Sequence, residues 1–159
     1  MKNAFSYPVP EFPAVGTMTI FTDGQFITAI RLGGVEIPGE IEICETPLLR
    51  HAREELGEYF TGRRSAFTFP ALQSGTEFQQ RVWNALQNIP YGETRSYGQI
   101  ARSLGRPGAA RAVGMANNRN RLPILIPCHR VIGADGKLVG YEGGLTIKAA
   151  LLELERKYR

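Results

Sequence analysis

Two helix-start signatures, twenty residues apart, constrain the fold of the C-terminal half of the chain. Thr76 with Gln79, and Ser96 with Gln99, match the capping box, in which each side chain of the pair bonds the backbone N–H of the other residue. After Thr76, apolar residues recur at helical spacing until Pro90, which ends the helix. The pattern predicts two successive helices in this half of the chain.

A tight connection and a third helix follow these two. Residues 105–108 read Gly-Arg-Pro-Gly, a sequence that stops a helix. The alanine-rich run from about Gly108 through Val113 then predicts another short helix. Two short helices joined by a tight turn have the geometry of a helix-turn-helix.

The N-terminal half has the pattern of a small strand-rich domain. Thr17–Thr22 and Gln25–Arg31 alternate apolar and polar residues around Asp23-Gly24, a dipeptide suited to a hairpin turn. Thr46 followed by Pro47 is typical of a helix N-cap and a first helical residue. We expect a β-hairpin with a helix packed on it.

The charge balance changes sign after residues 62–75, a stretch rich in glycine and polar side chains. Residues 1–75 carry 6 basic and 9 acidic side chains, whereas residues 76–159 carry 13 and 6, so the net charges are −3 and +7. We therefore place the domain boundary here. The expected fold class is α/β, with a small strand-rich N-terminal domain (1–75) followed by a mainly helical, winged helix-turn-helix-like domain (76–159).

The positive charge of the second half is concentrated between Glu93 and Asp135. No acidic residue lies between these two, and seven arginines do: Arg95, Arg102, Arg106, Arg111, Arg119, Arg121 and Arg130. A basic surface of this kind favours a polyanion such as nucleic acid. A solvated basic face would have the same composition.

Hydropathy and cysteine content bound the class of protein. No apolar run approaches the roughly 20 residues that span a bilayer, and the start of the chain lacks the apolar core of a secretion signal. Two cysteines, Cys44 and Cys128, are too few for a disulfide framework. We expect a cytoplasmic protein, nucleoid-associated if the cell is prokaryotic, with reduced thiols and no membrane partner.

The chain reaches Cys128 through an apolar segment bounded by two prolines. Ile124–Ile126 is predicted to be a buried strand or extended segment. Beyond Cys128, Asp135-Gly136 predicts a turn, and Thr146 is predicted to cap a last helix.

His129 and Arg130 follow Cys128 directly, and such neighbours favour the thiolate, the form of cysteine that attacks. A small buried hydrophobic residue is the alternative role for this cysteine. A zinc site from Cys44, His51, Cys128 and His129 would have a spacing that no familiar finger has. A cysteine hydrolase would need an oxyanion hole that the sequence does not indicate. A plain helix-turn-helix regulator would leave the Pro-Cys-His-Arg segment unexplained.

Several separate segments share both their residues and their spacing with one known family. They are Pro90–Glu93 through Ser96-Tyr97, Ala110–Gly114, Asn120, Pro123–Val131, Gly143–Leu145, Lys148, Leu151-Leu152 and Glu155. From about Thr76 to Glu155 the chain resembles the O6-alkylguanine-DNA alkyltransferases, also called methylated-DNA-protein-cysteine methyltransferases. The first 75 residues agree with that family only in general layout.

The resemblance implies a role for each matched catalytic residue. Cys128 accepts the alkyl group, His129 takes the thiol proton through a water, and Glu155 orients the imidazole. Asn120 braces the turn around Cys128, and Tyr97 places its hydroxyl on the target base. The implied reaction is a DNA repair step, one irreversible transfer per molecule from O6-alkylguanine, with O4-alkylthymine left open as a second substrate.

The resemblance also implies how DNA is bound. The target nucleotide rotates out of the duplex, because its reactive atom cannot otherwise reach a buried thiol. The helix with Ala109, Ala110 and Arg111 enters the minor groove, where small side chains fit, and Arg111 fills the space of the extruded base. Arg119 and Arg130 are expected as further DNA contacts, and Tyr97 also touches DNA.

The implied base pocket is formed by residues that follow the thiol: Val131, Tyr141, Glu142, Gly143, Gly144 and Lys148. Two positions depart from the family pattern, since Arg121 stands where proline is frequent and Glu142 where a small residue is. The N-terminal zinc ligands of some family members are absent, so no metal and no cofactor are expected. The expected partner is double-stranded DNA containing alkylated guanine, bound by a monomer, with cooperative binding along DNA left open.

Two rival functions come from other classes of protein. A non-catalytic damage-recognition protein on the same fold would bind alkylated bases, but such relatives lack the acceptor cysteine that Cys128 supplies. A transcriptional regulator would prefer a particular sequence in undamaged duplex.

Overall fold

The computed structural model describes residues 1–141 and 144–159. The chain divides into two compact units, Met1–Gln73 and Ser74–Arg159. Within the described ranges, no helix combines the length and the apolar character that crossing a membrane requires.

The first unit contains a four-stranded sheet. Its strands are β1 (Asn3–Val9), β2 (Gly16–Thr22), β3 (Ile27–Leu32) and β4 (Glu42–Ile43), in the spatial order β3-β2-β1-β4. β2 and β3 pair antiparallel, so the predicted hairpin is confirmed. β1 pairs antiparallel with β2 and parallel with β4. The sequence does not predict β1, because Pro8 lies within it and proline cannot donate to a ladder of strands.

The helix of this unit, α1 (Pro47–Phe60), begins where the sequence predicts. The Thr46 hydroxyl oxygen accepts a hydrogen bond from the Leu49 N–H at 3.2 Å, which is the expected N-cap. The helix packs on β1, β2 and β3. Its apolar face is buried, namely Leu49, Ala52, Leu56 and Phe60.

The second unit is mainly helical. Its helices are α2 (Glu77–Gln87), α3 (Tyr97–Ser103), α4 (Ala110–Asn118) and α5 (Leu145–Tyr158). Both predicted capping boxes are present: Thr76 accepts from the Gln79 N–H, and Ser96 from the Gln99 N–H, each at 3.1 Å. The buried Trp83 indole N–H of α2 donates to a carbonyl of α4 at 2.9 Å.

α3 and α4 form the predicted helix-turn-helix. Gly105 has a φ of +74°, in the left-handed region that favours glycine, and it turns the chain after α3. The Arg106 N–H then donates to the Ala101 carbonyl at 2.9 Å. α4 continues past the predicted Val113 to Asn118.

A two-stranded parallel sheet joins two parts of this unit that are distant in sequence. β5 (Arg95–Ser96) directly precedes α3, and β6 (Val131–Ile132) directly follows a 3-10 turn, Cys128–Arg130. A sheet domain followed by a helical domain with a helix-turn-helix confirms the predicted fold class. The predicted turn at Asp135-Gly136 is also present, since the Gly136 N–H donates to the Gly133 carbonyl at 2.9 Å.

Two local predictions are wrong. The segment before Cys128 is not a strand: the Ile126 N–H donates to the Leu122 carbonyl at 2.9 Å, and Ile124 has a φ of +74°, so the chain turns repeatedly. Its apolar character reflects burial rather than extension. Thr146 does not cap α5, because the helix has already begun at Leu145 and Gly144 occupies the N-cap position.

Candidate active site and DNA-binding surface

Cys128 follows a turn of the second unit that the buried Asn120 side chain stabilises by hydrogen bonds. The Asn120 side-chain NH2 donates to the Ile126 carbonyl at 2.8 Å, and its oxygen accepts from the Leu122 N–H at 3.0 Å. The Cys128 N–H donates to the same Ile126 carbonyl at 2.7 Å. Asn120 thus replaces the backbone partners that a regular strand would supply. The thiol residue itself is 5% exposed.

A second buried amide, which the sequence analysis did not single out, also holds this turn. The Asn117 side-chain NH2 donates to the Cys128 carbonyl at 3.4 Å. Asn117 lies on the buried face of α4, one residue before the end of the helix. An asparagine on an otherwise apolar helix face was the available signal, because buried polar side chains are retained where they have a partner.

His129 and Glu155 form the buried pair that the resemblance implies. His129 Nε2 lies 2.7 Å from a Glu155 carboxylate oxygen, and both side chains are essentially inaccessible to solvent. Because a carboxylate only accepts, Nε2 carries the proton of this bond, and Nδ1 of a neutral imidazole is left as an acceptor. His129 Nδ1 is buried and bonds to no group among residues 1–141 and 144–159.

The protonation state of His129 follows from its surroundings. Burial is the largest influence on the pKa of the imidazole and lowers it, as do the charges of Arg130 and Lys148. The Glu155 carboxylate raises this pKa, and the net shift is downward. His129 is therefore neutral at pH 7. A neutral imidazole with a fixed Nδ1 lone pair can take a proton from a thiol.

Arg130 belongs to the same buried network. Its guanidinium donates to the two Glu155 carboxylate oxygens at 2.8 and 3.0 Å, and to the Ile89 carbonyl at 2.8 Å. Its carbon centre also lies 5.6 Å above the Tyr91 ring. Arg130 is only 7% exposed, so the predicted DNA contact at this position is wrong. The charge of Arg130 is used inside the protein, to balance Glu155.

The Glu155 carboxylate has a further partner in the loop after α2. The Gly92 N–H donates to it at 3.1 Å. With His129 and Arg130, three residues therefore bond to this carboxylate. A buried carboxylate is stable only when its oxygens are satisfied in this way.

Lys148 donates to two backbone carbonyls, and Tyr97 donates to one of them. The Lys148 ammonium is buried and donates to the Val131 carbonyl at 2.6 Å and to the Val139 carbonyl at 2.9 Å. The Tyr97 hydroxyl donates to the same Val139 carbonyl at 3.1 Å. The sequence did not indicate Val139, because every residue type has a backbone carbonyl and the residue type therefore does not show which carbonyl is used.

The pKa values of these two side chains are shifted mainly by burial, and the charge of Cys128 also affects both pKa values. Burial raises the pKa of the Tyr97 hydroxyl, and the negative charge of a Cys128 thiolate raises it further. Burial lowers the pKa of the Lys148 ammonium, and the Cys128 thiolate opposes this effect. Tyr97 and Lys148 thus meet at the Val139 carbonyl, and the charge of Cys128 acts on both. Of the other predicted pocket residues, Val131 is buried, Tyr141 is half-buried and Gly144 is exposed, while Glu142 and Gly143 lie outside the described residues.

The N-terminal end of α4 presents the predicted DNA-binding residues. Arg111 is exposed in the first turn, and Ala109 and Ala110 beside it are half-buried. Arg119 is exposed at the C-cap of the same helix. Within the described part of the chain, the Arg111 and Arg119 guanidinium groups make no hydrogen bond or ion pair, which leaves both for a partner.

The other arginines of the basic stretch differ in availability. Arg95 pairs with Glu93 at 3.2 Å, Arg121 donates to the Ser74 carbonyl at 3.0 Å, and Arg106 lies 5.4 Å above the Phe78 ring. Arg102 is exposed near the end of α3. The cationic surface is therefore narrower than the seven arginines of the sequence suggest, and it centres on α4.

The fold and the site together define a class: helix-turn-helix proteins with a buried cysteine beside a buried histidine–glutamate pair. A family model described as "6-O-methylguanine DNA methyltransferase, DNA binding domain" matches residues 77–157. The chain belongs to this family of methylated-DNA–protein-cysteine methyltransferases.

Individual relatives agree with this assignment. The methylated-DNA–protein-cysteine methyltransferase of Mycolicibacterium paratuberculosis is 61% identical over 67% of this chain and 65% of its own length. That of Methanosarcina acetivorans is 58% identical over 76% of this chain and 77% of its own length. The crystal structure of Mycobacterium tuberculosis OGT in complex with DNA has a TM-score of 0.88 and 44% identity, and it covers 98% of this chain and 94% of the other.

Proposed function

We propose that the protein repairs O6-alkylguanine in DNA by transferring the alkyl group to Cys128. The observation that carries this proposal is a buried cysteine next to a buried His129–Glu155 pair, in the same unit as an exposed cationic helix. The thiolate sulfur attacks the alkyl carbon, a carbon–sulfur bond forms and the bond to O6 breaks. The electron pair of that bond passes to the guanine, which is restored on taking up one proton.

The proton of the thiol goes to His129. Its Nδ1 lone pair accepts this proton, directly or through one water, while Glu155 stabilises the charge that develops on the imidazole. Tyr97 assists the leaving guanine, its hydroxyl exchanging the Val139 carbonyl for the base. Asn120 keeps the turn fixed, and Lys148 holds the Val131 carbonyl at the pocket wall.

The burial of Cys128 requires extrusion of the target nucleotide. A thiol residue that is 5% exposed cannot reach an atom inside a base pair unless the base leaves the stack. We assign the contact with the minor groove to Ala109 and Ala110, whose small side chains allow close approach. Arg111 fills the gap that the extruded base leaves in the stack. Arg119 contacts phosphate.

The product is a thioether, a very poor leaving group, so each molecule reacts once and no cofactor takes part. We infer a monomer bound to double-stranded DNA, active at guanine and with O4-alkylthymine as a candidate second substrate. We place it in the cytoplasm, at the nucleoid of a prokaryotic cell, because its substrate is DNA and its cysteine must stay reduced.

Titration of the protein against a duplex with one O6-methylguanine tests the proposal. Intact mass is expected to rise by one methyl group per molecule, and the amount of repaired guanine to equal the amount of protein. Several repaired bases per molecule would exclude the single-transfer mechanism. Tight binding without any change in mass would favour a damage-recognition protein.

The affinity of the protein for undamaged duplex is expected to depend strongly on salt. The unpaired Arg111 and Arg119 contact a polyanion, and each phosphate contact releases counterions. With two to four such contacts, the affinity falls roughly 10- to 100-fold between about 50 and 200 mM salt. Fluorescence anisotropy of a labelled duplex measures this. An affinity that hardly changes with salt would mean that α4 is not the binding surface.

Arg111→Ala is expected to slow the repair of duplex at saturating DNA by about tenfold or more, because no side chain then fills the space that the extruded base leaves in the stack. Reaction with free O6-methylguanine base, which has no stack to fill, is expected to keep the wild-type rate. Arg119→Ala is the matched control on the same helix, and it weakens binding without slowing repair once DNA is saturating. Equal losses on duplex and free base would assign Arg111 a general structural role.

A further inference from the structure

Met115 is a large apolar side chain on the exposed side of α4, and it is 62% accessible to solvent. The residues that fix α4 to the rest of the unit are others, since Val113 and Ala116 are buried. Met115 therefore contributes little to the core. Single exposed apolar residues are common on proteins, so the position of this one decides its meaning.

That position lies between the two unpaired arginines of the helix. Arg111, Met115 and Arg119 follow one another at intervals of four residues, which places them on one face, about 6 Å apart along the axis. α4 contains no acidic residue, and Ala112 on the same side is small. This face combines two cations with one apolar side chain, and a polyanion with apolar recesses complements it.

The residue before Met115 lies beside a side chain of the site. The preceding residue, Gly114, packs against Tyr97, because a Cβ on Gly114 would lie 3.7 Å from the Tyr97 ring. The helix position that faces Tyr97 and the position that faces solvent are therefore consecutive residues.

We propose that Met115 is a DNA contact that holds the duplex beside the extruded base, a positioning residue rather than a catalytic one. This inference rests on the proposed function. The thioether packs on the sugars and base edges of the groove, one helical turn beyond the gap that Arg111 fills. Methionine suits this task, since it is flexible enough to follow the groove wall, and apolar wedges of this kind stabilise deformed DNA.

Met115→Ala tests the inference, with Met115→Leu as the matched control that keeps the apolar volume. We expect Met115→Ala to weaken binding to undamaged duplex and to slow duplex repair, each about five- to tenfold, in line with the loss of a few buried carbon atoms. Met115→Leu retains most of both. Because the lost contact is apolar and releases no counterion, the salt dependence of binding is unchanged.

Three measurements distinguish a DNA contact by Met115 from other roles of this residue. Reaction of Met115→Ala with free O6-methylguanine at the wild-type rate excludes damage to the thiol site. Equal affinity of the wild type and Met115→Ala for duplex DNA would overturn the inference. A change in the sedimentation of the free protein, with no change in DNA binding, would also overturn it and would assign Met115 to self-association. Failure of the wild-type protein to gain mass would instead reject the proposed function, and the binding comparison would still stand.

Discussion

We expect Cys128→Ala to abolish alkyl transfer while leaving the affinity for duplex DNA within about twofold of the wild-type value, a free-energy change of about 0.4 kcal/mol. The variant lacks the sulfur that forms the new bond, whereas α4 and its arginines are unchanged. Replacing a small buried residue by alanine also disturbs packing little. Intact mass and anisotropy measure the two properties on the same samples.

Cys44→Ser is the matched control, because Cys44 is the other free cysteine and is exposed in the first unit. It is expected to react fully, and peptide mapping of the wild-type protein to find the methyl group on Cys128. Methyl found on Cys44, or transfer that persists in Cys128→Ala, would contradict the assignment of the acceptor.

Glu155→Gln is expected to lower the free energy of unfolding by about 3 kcal/mol or more, because Arg130 would stay buried without its counterion. It is also expected to slow transfer, since loss of the carboxylate lowers the pKa of His129 further and makes the imidazole a weaker base. Urea unfolding and single-turnover rates measure the two effects.

Glu153→Gln, two residues earlier on α5, is the matched control. Its side chain is 73% exposed and pairs with Arg156 on the surface, so both stability and rate are expected to stay near wild type. If Glu155→Gln were as stable as Glu153→Gln, the buried network would not have the role that its geometry indicates. A normal transfer rate in a destabilised Glu155→Gln variant would mean that the network supports the fold but not the transfer reaction.

The helices that begin with local signals could be predicted from the sequence. Thr46, Thr76 and Ser96 each cap the helix that they predict, because the capping side chain bonds an N–H only three residues away. β1 could not be predicted in this way, because its pairing with β2 and β4 is set by distant residues and Pro8 masks its pattern.

The site was predicted where residue types carry the information, and missed where geometry does. His129 and Glu155 form a hydrogen bond, as the resemblance implies. The residues alone did not predict the turns before Cys128, because an apolar run bounded by prolines fits a strand equally well. The Asn120 hydrogen bonds select the turn, and only the resemblance implied this role for Asn120. Arg130 was misassigned because the sequence shows a charge but not whether a buried carboxylate already holds it.

The Gly92 N–H donates to Glu155 across 63 residues of sequence. The network around Glu155 therefore forms only when distant parts of the chain have come together. Contacts of such long range form only after the entropy of closing the intervening loop has been overcome. A nascent or partly unfolded molecule consequently carries Cys128 as an ordinary thiol without its proton acceptor. We therefore expect a molecule to become reactive towards alkylated DNA only once its second unit has folded.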